Sequence, residues 1–93
     1  MSNIPPDDPS IHAVQELLDE TARECLRCMS IHNLTSAQNQ RLAKFIFGCM
    51  NQKHELPSRI EQRGAGELAK VLRFVAAAVD ILIAIGAEHQ ERS

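Results

Sequence analysis

The sequence predicts an all-α protein, a small three-helix bundle with a flexible N-terminal tail. Three long segments repeat their apolar residues every three or four positions, which is typical of amphipathic helices. No segment alternates apolar and polar residues between turn signals, as a strand would. The 93 residues suffice for one domain with one modest core. We therefore expect a tail over residues 1–8 and a single helical domain over residues 9–93.

The first helix is expected over about residues 9–32. Asp8 is a suitable N-cap, and Pro9 suits the first helical position because its missing N–H has no helical partner there. One face repeats in unbroken steps of three and four residues and should meet the core, namely Ile11, Val14, Leu18, Thr21, Cys25, Cys28 and His32.

The second and third helices are expected over about residues 35–52 and 58–90. Thr35 with Gln38 fits a capping box at the start of the second helix. Pro57 disfavours a helical conformation at the preceding residue, so the sequence predicts a break there. Gly64 and Gly66 weaken the third helix, and a split at these glycines would give four helices.

The third helix carries more apolar surface than one stripe. On a helical wheel it has two neighbouring seams. The first contains Leu68, Leu72, Val75, Val79, Leu82 and Gly86. The second contains Val71, Phe74, Ala78, Ile81 and Ile85. The other two helices have about one stripe each, so we expect the second seam to remain open as an interface, with a charged rim of Arg59, Arg63, Lys70 and Arg73.

Three arrangements that would bury this seam remain as alternatives. Two copies could pair through the third helix around a two-fold axis. A helix or groove of a different protein could dock on it. A monomer could also wrap the third helix tightly enough to hide most of its apolar arc. We expect the homodimer, because exposed large aliphatic side chains forfeit about 1.5–3 kcal/mol each.

Cysteine and histidine residues raise the alternative of a metal or redox site. Cys25, Cys28 and His32 share one helix face, and Cys49 lies on the next helix. However, the first three complete the apolar seam of the first helix, and free cysteine behaves as a small apolar residue when buried. We therefore expect core packing and no cofactor. A redox CxxC motif would also need a neighbouring βαβ pattern, which is missing.

The charge distribution leaves nucleic-acid binding as an alternative. The net charge is −2, yet basic residues are concentrated in residues 41–73. No segment reads as a recognition helix dense in base-contacting side chains, so nucleic acid is the less favoured partner. No nucleophile with a neighbouring base and orienting group can be placed, and we expect no enzymatic activity.

A membrane span and a secretory signal are both disfavoured. The apolar run over residues 74–87 is fourteen residues long and contains Asp80, whereas a span needs about 20 apolar residues. The N-terminal residues lack the basic and apolar regions of a signal peptide. Three cysteines are an odd number, which favours a reducing cytoplasm over a disulfide framework.

The sequence therefore predicts a small non-catalytic protein–protein interaction module. Its size and class are typical of small bacterial or phage-borne helical proteins that bind and block a larger regulator. We expect a regulatory inhibitor or anti-activator of a larger protein, such as a transcriptional regulator, acting as a homodimer. The alternative is a small DNA-binding transcriptional regulator, and a Cys/His metal-binding or redox domain is the third possibility.

Overall fold

The computed structural model describes residues 8–91 and contains three α-helices in that range. They are α1 (Pro9–Ile31), α2 (Ser36–Arg63) and α3 (Gly66–Glu91). α2 returns antiparallel to α1, so that α3 runs parallel to α1, and the rings of His32 and His89 stack at one end. No strand occurs among residues 8–91. The predicted all-α three-helix bundle is confirmed, while residues 1–7 of the predicted tail lie outside the described residues.

Helix α1 confirms both the cap and the inner face predicted for it. The Asp8 carboxylate accepts a hydrogen bond from the Ser10 N–H at 2.7 Å, and Pro9 occupies the first turn. Six of the seven predicted core positions are buried, and His32, at the C-cap, is half-buried. Steps of three and four residues therefore located the core face of α1 correctly, because one face of a helix meets one neighbour.

Helix α2 begins as predicted but does not end at Pro57. Thr35 and Gln38 form the capping box, each side chain bonded to the other's backbone N–H at 3.1 and 3.0 Å. The predicted break at Pro57 and the predicted helix start at residue 58 are wrong, since α2 continues to Arg63. Leu56 and Ile60 lie buried on this extension and anchor it to the core.

The turn between α2 and α3 is formed by the two glycines. Gly64 has φ of 90°, a conformation that favours glycine, and its N–H donates to the Ile60 carbonyl at 2.7 Å. α3 begins directly afterwards at Gly66. The glycines therefore separate two helices instead of dividing the third, and the part of the predicted third helix before them belongs to α2.

The core consists of two clusters along a rod. One is formed around Ile11, Leu18 and Leu56, and the other around Cys25, Leu42 and Ile85. The Cα radius of gyration is 15.1 Å and the extents are 51 × 18 × 17 Å. A compact chain of this length would have a radius of about 12 Å. This elongation leaves each helix with a long outer face.

Helices α2 and α3 approach closely at Gly48. A Cβ added at Gly48 would overlap the ring of Phe74, which also packs against Phe45 with the ring centroids 5.3 Å apart. Glycine in a helix interior costs about 1 kcal/mol relative to alanine. The space it leaves is filled by an aromatic ring, which explains a glycine in the middle of α2.

Candidate interaction surface

The seam that the sequence assigned to a partner lies inside the chain. Val71 and Ala78 are 0% exposed and Ile85 is buried. Phe74 and Ile81 are half-buried and pack against the two core clusters. α1 and α2 together cover this seam, so these five residues form the core face of α3. The assignment of the seam to a partner is therefore corrected.

The opposite flank of α3 carries an open apolar stripe. Leu72 is 45% exposed, Val79 40% and Ile83 65%. With two exposed alanines they follow steps of three, four, three and four residues, the spacing of a coiled-coil seam. We call this set the α3 outer stripe; it comprises Ala69, Leu72, Ala76, Val79 and Ile83. Leu72 and Val79 belong to the seam that the sequence had assigned to the core.

The α3 outer stripe continues across a groove to α1. This open groove of about 460 Å³ is lined by Val79 and Leu82 of α3 and by the end of α1, including Cys28 and the exposed Ile31. Its apolar surface therefore extends beyond a single helix. The groove is open, and Glu24, Arg27 and His32 also line it, so it suits another polypeptide better than a small ligand, which needs an enclosing pocket.

Two opposite charges border the stripe on the edge away from α1. Arg73 and Asp80 are seven residues apart, so they project from α3 within about 20° of each other. Both side chains are exposed, and neither makes an ion pair within residues 8–89. This edge therefore offers one unpaired cation and one unpaired anion to a neighbouring chain.

Four cations were predicted to form the rim of the interface. Three of them, Arg59, Arg63 and Lys70, instead lie around the Glu67 carboxylate. The carboxylate lies 2.9 Å from both Arg59 Nε and Lys70 Nζ and 3.9 Å from Arg63 Nη1, and its side chain is 3% exposed. Hydrogen bonds from Lys70 and Arg59 hold the pKa of Glu67 below its usual value. Of the four, Arg73 alone makes no ion pair within residues 8–89, while Arg63 and Lys70 stay exposed beside Glu67. The cluster ties the end of α2 to the start of α3.

The candidate metal ligands do not assemble into a ligand set. Cys25, Cys28 and Cys49 are buried free thiols, and His32 stacks on His89 with the centroids 4.4 Å apart. Among the described residues no three Cys, His, Asp or Glu side chains are grouped to hold an ion. Burial, and then the neighbouring Cys49, raises the pKa of Cys25 to about 11, which disfavours the thiolate that metals bind.

A second apolar patch lies on the side of α1 and α2. Phe47 is 68% exposed, and Met50 and Leu26 are also exposed. We call these three residues the α1/α2 patch. Beside Met50 an open groove of about 370 Å³ is lined by Gln15, Asp19, Lys53 and His54. Met50 is 59% exposed and therefore faces outwards from α2.

Two exposed cations neighbour the α1/α2 patch, since Arg23 lies three residues before Leu26 on α1 and Lys44 three residues before Phe47 on α2. Neither of them makes an ion pair within residues 8–89. Lys53 is engaged by Asp19 at 2.7 Å and adds no free charge. The patch therefore combines an aromatic residue, a methionine and a basic border.

Two further comparisons, with membrane-spanning helices and with known proteins, assign no function to the chain. None of the helices within residues 8–91 is both long and apolar enough to cross a bilayer. The chain matches no protein-family model, no curated protein and no solved structure. The two uncovered apolar faces are therefore the basis for a functional proposal.

Proposed function

We propose that this protein is a non-catalytic interaction module that forms a homodimer and binds a larger protein as a regulatory inhibitor or anti-activator. The observation that supports this is the presence of two separate apolar faces on one small rod, the α3 outer stripe and the α1/α2 patch. A homodimer would use one face and leave the other for the regulated protein. The three free thiols suit a reducing cytoplasmic setting.

The energetics of burial support a bound second chain. Complete burial of a large aliphatic side chain is worth about 1.5–3 kcal/mol. Leu72, Val79 and Ile83 are each about half exposed, so covering each of them would recover roughly half of that amount. This gain is substantial beside the total stability of a small domain, about 5–15 kcal/mol.

The α1/α2 patch fits a larger partner that presents an apolar helix with acidic residues beside it. Aromatic residues and methionine are enriched in the buried centres of protein interfaces. Unpaired cations at the border would steer an acidic partner and favour it over a basic one. Three of the basic residues that could have contacted nucleic acid instead surround Glu67, which weakens the DNA-binding alternative.

The experiment compares capture of host proteins by the wild-type chain and by Phe47→Glu. A matched control is Gln62→Glu, which adds the same charge at an exposed position near the other end of α2. We expect a specific host protein to be retained by the wild-type and control chains and reduced at least about tenfold with Phe47→Glu, the usual effect of losing a central interface residue.

A reconstituted complex then tests the partner's chemistry. Binding of the identified protein should weaken as salt rises, because screening acts on the exposed cations around the patch. Equal capture by all three chains would contradict the proposal. Sequence-specific binding of duplex DNA at physiological salt, with no protein retained, would favour the DNA-binding alternative.

A further inference from the structure

We propose that two copies of this chain pair antiparallel through the α3 outer stripe, on a two-fold axis that passes beside Ala76. This inference rests on the proposed homodimer and adds its surface, its direction and its register. The occupant of the stripe is thus a second copy of the chain. The argument depends on the order of residues along the stripe and on the charges at its edge.

The stripe is self-complementary about Ala76. In an antiparallel two-fold pair, residues equally distant from the axis lie opposite each other. Ala69 is seven residues before Ala76 and Ile83 is seven after it, so each alanine meets the partner subunit's Ile83. Leu72 lies four residues before and Val79 three after, which leaves an axial offset of only about 1.5 Å.

The size of the residues suits close packing in this register. Leu72 lies between the small Ala69 and Ala76 along the stripe, and Ile83 finds space beside the partner subunit's Ala69. The axis itself passes a small side chain, which lets the two backbones approach. The spacing of three and four residues keeps the stripe facing its partner over about four turns of α3.

Charge complementarity selects the antiparallel direction. In this arrangement the edge of α3 that carries Arg73 and Asp80 lies on the same side of the dimer in both copies. Arg73, three residues before Ala76, then meets the partner subunit's Asp80, four residues after it, and symmetry repeats the pair. Both side chains are exposed and lack an ion pair within the described chain.

A parallel pair would not satisfy these charges. The charged edge of one α3 would then lie beside the opposite edge of the other. That edge carries Leu68, Val75 and Leu82 and offers no carboxylate from α3. The antiparallel arrangement therefore explains both the apolar stripe and the two unpaired charges at its border.

The first test measures mass in solution by light scattering over a range of concentrations. The chain of 10.4 kDa should have twice that mass, and Ile83→Glu should reduce it to the monomer while its helical circular dichroism is retained. Ala77→Glu is the matched control, because Ala77 is exposed on α3 but about 120° from the centre of the stripe. This control should remain dimeric.

The second test examines the direction by charge reversal. Arg73→Glu and Asp80→Arg each create two like-charged contacts, so each should raise the dimer Kd about tenfold. The double variant restores both opposite-charge pairs and should return Kd close to the wild-type value. Two single effects that simply add in the double variant would overturn the antiparallel pairing.

The third test fixes the register. Ala76→Cys should form a disulfide-linked dimer on mild oxidation, because residue 76 meets its own copy at the axis and a disulfide requires Cα atoms within about 7 Å. Ala77→Cys should not. Efficient crosslinking at residue 77, or a dimer that survives Ile83→Glu, would overturn this geometry while leaving the proposed homodimer intact. A monomeric wild-type chain at about 100 μM would overturn both, since it corresponds to a Kd well above that of a stable dimer.

Discussion

The side-chain amide of Gln15 donates a hydrogen bond to the backbone carbonyl of Lys53, with Nε2 and O 3.0 Å apart. In an uninterrupted helix this carbonyl would accept the N–H of residue 57. Residue 57 is proline, which has no N–H and leaves that carbonyl without its helical donor. A side chain of α1 therefore replaces the missing donor and helps α2 to continue through a proline.

We expect Gln15→Ala to lower the free energy of unfolding by about 1 kcal/mol, because the Lys53 carbonyl loses its donor. In a Pro57→Ala background the new N–H supplies that donor, and the loss should become smaller. Urea denaturation of the double-mutant cycle measures the difference. Glu16→Ala, at an exposed neighbour, is the control. An equal loss in both backgrounds would show that the bond does not compensate for the proline.

Two glycine-to-alanine substitutions should have opposite effects. Gly86→Ala should raise the stability by about 1 kcal/mol through helix propensity, because a Cβ there meets nothing within 4 Å. Gly48→Ala should lower it by roughly 1–2 kcal/mol, because the overlap with Phe74 outweighs the same propensity gain. Thermal unfolding measures both, and Phe74→Leu combined with Gly48→Ala should recover part of the loss. Stabilisation by Gly48→Ala would contradict the close approach.

Glu67 should make the stability depend on pH. Because its pKa is lowered in the folded chain, its contribution is fully present above the ordinary value of 4.5 and is lost as pH falls through the lowered pKa. Glu67→Gln should therefore be less stable than the wild-type chain at pH 7, and the difference should shrink towards pH 3. Urea midpoints measured across this range provide the test, with the exposed Glu61→Gln as control. A difference that stays constant with pH would argue against the ion pairs.

The three thiols should report opening of the fold. At pH 8 about one Cys25 side chain in a thousand is ionised when its pKa is about 11, and burial also blocks access. Labelling with a maleimide should be slow in native buffer and should reach all three cysteines in denaturant. An added cysteine at the exposed Ile31 should react at once. Rapid labelling of Cys25 in the native chain would contradict the packing described here.

Local signals predicted the start of α1 and α2 correctly. The cap at Asp8 and the box of Thr35 and Gln38 each depend on groups within three residues, so the sequence contains all their partners. Pro57 shows the limit of local reasoning. Its effect on the helix depends on Gln15, 38 residues away from Lys53, and no local pattern identifies that contact.

The surface was harder to predict than the fold, for a physical reason. The helical wheel of α3 predicts two neighbouring apolar seams but not the rotation of the helix against α1 and α2. Packing turns Val71 and Ala78 inwards and leaves Leu72 and Val79 partly outside. Glu67 was missed because Arg59 approaches it across the glycine turn, although Lys70 at three residues and Arg63 at four are helical neighbours whose spacing could have signalled it.

The parallel course of α1 and α3 places residues 8 and 91 at opposite ends of a rod about 51 Å long. A fluorophore attached near each end of one copy would therefore report a long separation within that copy. In the antiparallel pair, residue 8 of one copy would lie near residue 91 of the other. A donor near residue 8 of one copy and an acceptor near residue 91 of the other would then show far stronger energy transfer than the same two labels within one copy. Fluorescence would therefore report whether the two chains run antiparallel.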